Sequence, residues 1–216
     1  MITDTFDNLS EEIIKVNRND NAVKVDACIL TFSHVILKYV LENFECKKIG
    51  DLFSSNGVNP VYGFEYKNRY FAVYMSYVGA PACVADIEDT MSIINTDKYV
   101  VFGGSGCLNK EVARGKVMVP TEAYRDEGTS YHYAPASDYI KIQNADVVTK
   151  FMETVGLPYV KEKHGQQMRC IEKRERILKN VKPMAAFLSK WNVLLFKLYV
   201  IIENLMLTSF LLVVIC

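Results

Sequence analysis

"YVVFGGSGCLN", Tyr99 to Asn109, decides how this chain is read. An apolar run of strand length, Tyr99–Phe102, passes directly into Gly103-Gly104-Ser105-Gly106. Glycines at the end of a strand let backbone amides come close to a bound anion or sugar, and the Ser105 hydroxyl adds a hydrogen-bonding group. A tight strand-to-loop connection without any ligand would use the same residues. The four are therefore candidate binding residues whose surroundings must decide between the two readings.

The composition narrows those surroundings. The chain has 216 residues, is 50% hydrophobic and carries a formal net charge of zero, enough for one sizeable core and without the basic excess of a nucleic-acid surface. Cys28, Cys46, Cys83, Cys107, Cys170 and Cys216 form no C-x-x-C pair and no metal-like spacing. With no secretory leader pattern at Met1, they read as reduced thiols of a cytoplasmic protein. His34, His132 and His164 have no acidic partner at a zinc-like spacing, so no metal or other cofactor is expected.

Short apolar runs alternate with longer amphipathic ones, the pattern of an α/β domain. Ala27–Thr31 reads as a buried strand, followed by a helix from about Ser33, a plausible N-cap. Gly63–Lys67 and Tyr70–Tyr77, on either side of Lys67-Asn68, read as a hairpin. Ala82–Ile94 has helical periodicity, Lys116–Val119 is a β run stopped by Pro120, and Ala145–Val155 is helical. No internal repeat is present.

Four stretches in order, Gly79-Ala80-Pro81, Gly103–Gly106, Gly115-Lys116-Val117 and Gly128–Pro135 (GTSYHYAP), resemble the motifs of the nucleoside phosphorylase family, most closely uridine phosphorylases. The resemblance spans roughly residues 20–162. It implies an α/β fold of the phosphorylase/hydrolase type, with a mixed central sheet flanked by helices, here C-terminally incomplete. It also implies attack of phosphate on the anomeric carbon of a uridine-like nucleoside, giving free base and ribose 1-phosphate. Nucleoside and phosphate, the latter as co-substrate, would then be the ligands, the assembly a homo-oligomer, and Gly103, Gly104, Ser105 and Gly106 substrate-binding residues.

The chain departs from that pattern in two places near the glycines. Val101 stands where the family has an arginine that pairs with phosphate, and Thr31-Phe32-Ser33-His34-Val35-Ile36 lacks the glycine and arginine that normally follow the first strand. Two guanidinium forks are thereby lost. A nucleosidase using water, or a non-catalytic family member, are the alternatives. His34 could serve as a phosphate donor, but a single histidine at such a junction, like His132, is first a structural residue.

The larger departure follows Val160. The family continues with a T-W-T-T-D-A-like stretch and later an E-M-E motif that grips the ribose; here Lys163-His164-Gly165-Gln166-Gln167-Met168-Arg169 stands instead. Codons AAA CAT GGA CAA CAG ATG CG encode that run, and restoring one A gives AAA ACA TGG ACA ACA GAT GCG, K-T-W-T-T-D-A. Codons permitted for Asn180–Val193 spell K-R-K-A-D-G-C-I-S-V-E-M-E-C in the same shifted frame. The expectation is a family domain over residues 1–162 and an out-of-frame tail over 163–216, which leaves the catalytic residues unassigned and the chain impaired. The apolar run from Trp191 to Cys216 has membrane-like length, but Lys197, Glu203 and Asn204 inside it argue against a span.

Overall fold

The computed structural model describes residues 1–15, 18–104, 106–107, 116–142, 144–166, 186–188 and 209–215. In chain order the strands are β1 (Val23–Lys24), β2 (Ala27–Thr31), β3 (Lys47–Ser54), β4 (Gly57–Tyr66), β5 (Arg69–Met75), β6 (Ile94–Asn95), β7 (Lys98–Gly104), β8 (Gly106–Cys107), β9 (Val117–Tyr124), β10 (Tyr139–Lys141), β11 (Tyr159–Gln166), β12 (Ala186–Leu188) and β13 (Ser209–Ile215). The helices are α1 (His34–Asn43), α2 (Ala80–Thr90) and α3 (Ala145–Val155).

A mixed sheet runs β3-β4-β5-β2-β7-β13-β9-β11-β12-β8, with β10 paired to β9, while β1 and β6 pair separately. Within it β5, β2 and β7 are parallel neighbours, so their carboxyl ends come to one side. The helices lie on both faces, as strand alternation requires. On β5, Ala72 and Tyr74 point into a core shared with Cys83, Val84 and Ile87 of α2, whereas Val73 between them packs with Val40 of α1. Val119 of β9 meets Val148 and Met152 of α3. Burial of a side chain such as Leu30 or Ile87, each at most 1% exposed, stabilises the fold by about 1.5–3 kcal/mol.

This is the α/β architecture anticipated from the sequence, with local corrections. The Lys67-Asn68 hairpin is present, both residues at positive φ (50° and 59°), but its first arm starts at Gly57 and is itself paired with β3, which the sequence reading leaves out. In β3 the period-two pattern slips because Ile49 is an extra residue between the pairs Lys48↔Tyr62 and Gly50↔Val61. Pro120 does not end β9: it pairs with Glu162, and the register shifts immediately afterwards, a bulge that tolerates the missing N–H. α2 ends at Thr90, and Ile94 belongs to β6 rather than to the helix.

Among the described residues, no helix is long and apolar enough to cross a membrane. Most of the Trp191–Cys216 run lies outside the described residues, apart from β13.

Candidate functional site

The carboxyl ends of β2, β5 and β7 form the floor of the candidate site. Thr31, fully buried at the end of β2, accepts the Ser76 amide on its carbonyl at 2.9 Å and the Ser33 amide on its Oγ1 at 3.2 Å. Asn59 of β4 donates its side-chain amide to the Met75 carbonyl at 2.6 Å. Beyond Met75, Ser76 Oγ and the Tyr77 amide both donate to Asp86 Oδ2, at 2.7 and 3.1 Å.

Two helices begin at this end. α1 starts after Ser33 and α2 after Gly79, and in neither does a side chain of the capping residue bond the first-turn amides. Pro81 lies in the first turn of α2, where its missing N–H costs nothing. Helix N-termini carry partial positive charge and amide donors, so this end of the sheet favours an anion or a hydroxyl-rich ligand.

The glycines lie beside these starts. Gly103 is half-buried in β7, and among the described residues a Cβ placed on it would meet no atom within 4 Å. Gly104 closes β7 opposite Ile215, and Gly106 opens β8 opposite Phe187, so the glycines on either side of Ser105 belong to two strands with different partners. Ser105 lies outside the described residues.

The neighbouring candidates separate into two groups. Val101, where the resemblance calls for an arginine, is 3% exposed and points into the core. His34 is exposed in the first turn of α1. The Gly128–Pro135 motif lies elsewhere: Val117 at the start of β9 shares Ile215 with Gly104 as strand neighbour, and the motif follows the far end of β9, about 23 Å along the strand. There Arg125 donates to Ser130 Oγ (3.0 Å), Ser137 Oγ (3.1 Å) and the carbonyls of Pro135 (2.6 Å) and Ala134 (3.2 Å), and stacks over Tyr131 at 4.2 Å. Glu127 accepts the Ser130 amide on both oxygens. The motif is a structural knot, and His132 is exposed on it.

Beneath the floor, burial pushes the Cys83 thiol up to about 12 and raises Tyr74 well above its ordinary value. Burial also raises the Asp86 carboxyl, against the opposing effect of its bonds to Ser76 and Tyr77. Thr31, Ser76 and Asp86 were not singled out by the sequence reading. Asp86 carries a legible signal, since it is an acidic residue at helical spacing among Cys83, Ile87 and Thr90, all buried. Among the described residues no group of three or more His, Cys, Asp or Glu side chains is arranged to hold a metal ion.

Comparison with known proteins agrees with this architecture. A family model described as "Phosphorylase superfamily" matches residues 34–164. Among solved structures, Helicobacter pylori MTAN is similar with a TM-score of 0.63 and 13% identity, over 88% of this chain and 86% of that one, a likeness of fold. No curated protein matches by sequence.

Proposed function

The chain belongs to the phosphorylase superfamily, and from that premise we propose that its chemistry is cleavage of the glycosidic bond of a uridine-like nucleoside by phosphate, impaired in the chain as it stands. The observation that supports the reading is the juxtaposition at the ends of β5, β2 and β7: a Gly103 with no atom of the described residues within 4 Å of a Cβ, and two helix starts without side-chain caps. Such a cradle suits a dianion and the ribose hydroxyls, and holding phosphate in line with the anomeric carbon removes much of the entropic barrier. Water in place of phosphate is the second reading. It is favoured by Val101, whose burial leaves no cation at the position where the family pairs phosphate.

Impairment follows from the tail. The family match stops at His164, one residue beyond the codon at which a single-base deletion would change the frame. Residues acting as a unit on ribose and base fail together when some are replaced, so the glycine end alone supports little turnover. An oligomer formed through family-like faces belongs to the same proposal.

The test is to resequence the gene and to assay the 216-residue chain beside its frame-restored counterpart with uridine, with and without phosphate. The expected result is phosphate-dependent release of uracil by the restored protein only. Phosphate-independent release favours the nucleosidase; an intact frame in independent isolates together with full activity of the 216-residue chain overturns the frame argument.

A further inference from the structure

Asp86 is the buried polar side chain that connects the core to the ligand-facing end of the sheet. It is 4% exposed, lies two turns inside α2, and accepts both of its hydrogen bonds from residues that precede the helix. It is therefore not a cap. No lysine, arginine or histidine among the described residues forms an ion pair with it. A buried carboxylate without a cation is costly, and for packing alone an apolar side chain between Cys83 and Ile87 would serve better.

What the carboxylate does can be read from its partners. Ser76 is held from two sides, its amide on the Thr31 carbonyl at 2.9 Å and its hydroxyl on Asp86 at 2.7 Å, and the next amide, Tyr77, is held at 3.1 Å. The chain then leaves the core: Val78 is 52% exposed and Gly79 turns at φ +127° before Ala80 and Pro81 start α2. Without Asp86, this short bridge would be tied to the sheet, among the described residues, only by the Ser76 amide.

We propose that Asp86 is a positioning residue: by clamping Ser76 and Tyr77 it fixes the Gly79-Ala80 turn at the start of α2 relative to the ends of β5 and β2, and so sets the amides that meet the ligand. The positioning rests on the hydrogen bonds alone, while its value for ligand binding rests on the function proposed above.

The experiment uses the full 216-residue chain, its Asp86→Ala and Asp86→Asn variants, and amide hydrogen exchange by mass spectrometry. Asp86→Ala is expected to speed exchange over residues 76–80 by about tenfold while α3 and the last turn of α2 change less than roughly threefold, because the opening is local. Asp86→Asn keeps an acceptor oxygen and is expected to restore the parent rates. Unchanged exchange over 76–80 in Asp86→Ala overturns the proposal, as does acceleration spread evenly along α2, the mark of a merely structural role. A second arm adds uridine or inorganic phosphate to the parent. Protection of 76–80 that is lost in Asp86→Ala and regained in Asp86→Asn supports the ligand role. If the clamp behaves as expected but neither compound protects the parent, the ligand role of the clamp in this chain fails while the positioning role stands, and the proposed function is decided separately by the frame-restored assay above.

Discussion

Ser76 continues the ladder between β5 and β2 one step past the paired residues Thr31 and Met75, its amide 2.9 Å from the Thr31 carbonyl. Thr31 thus serves two amides, Ser76 through its backbone and Ser33 through its hydroxyl at 3.2 Å. Thr31→Val keeps the shape and removes the hydroxyl, leaving the partly buried Ser33 amide without that acceptor. The expected cost is about 1–2 kcal/mol in urea unfolding. An unchanged midpoint would show that Ser33 finds another partner.

Two glycines at the same end respond oppositely to alanine. Gly79 sits at φ +127°, which an L side chain rarely adopts, so Gly79→Ala is expected to lose about 1–3 kcal/mol of stability. Gly103 has no such φ, and among the described residues nothing lies within 4 Å of a Cβ on it, so Gly103→Ala is expected to stay within about 0.5 kcal/mol of the parent while its methyl group enters the proposed binding space. Thermal unfolding of both, with phosphate and uridine titrations of the second, checks the contrast.

Arg125 is 4% exposed and its guanidinium makes four hydrogen bonds within the Gly128–Pro135 knot and its flank. Arg125→Ala leaves Glu127 buried without the nearby cation and two carbonyls without their donor. A loss of about 3–5 kcal/mol is expected in denaturant unfolding. Arg125→Lys should recover little, since an ammonium cannot reproduce the fork.

Asp86 gives a pH test with a definite sign. Burial raises its carboxyl above the ordinary 3.8, so the folded protein holds the proton more tightly than the unfolded chain. The stability contributed by this group is fully present below pH 3.8 and is lost as pH rises through the raised folded value. Asp86→Asn carries no such titration. Its stability relative to the parent should rise as pH is taken upward through that window, as read from paired urea midpoints; parallel curves for the two proteins would contradict the assignment.

Much of this was legible in the sequence. Ala145–Val155 is helical as read because its apolar face has one period and its ends are punctuated: Asn144 and Gly156 both adopt left-handed backbone. Ala27–Thr31 is a strand because an uninterrupted apolar run fits the interior of a parallel sheet. What escaped depends on tertiary partners. β3 has three large apolar residues spaced irregularly around a bulge, and nothing local marks it as a strand until β4 pairs with it. Pro120 stays in β9 because the register shifts after it, a fact of the neighbouring strand. At the site, the glycines stood out while the residues that hold its floor did not, since the roles of Thr31 and Ser76 come from hydrogen bonds across strands.

The bulge at Ile49 has a bearing on how copies of this protein meet. β3 borders the sheet on one side, and its first residues, Lys47 and Lys48, are exposed, with Lys48 held by Asp51 at 2.8 Å. A strand from another molecule approaching that border would face an interrupted row of donors and acceptors and two ammonium groups. Strand addition from another molecule is therefore hindered at the Lys47–Gly50 end of this margin, and the regular stretch that follows is the part left to template it.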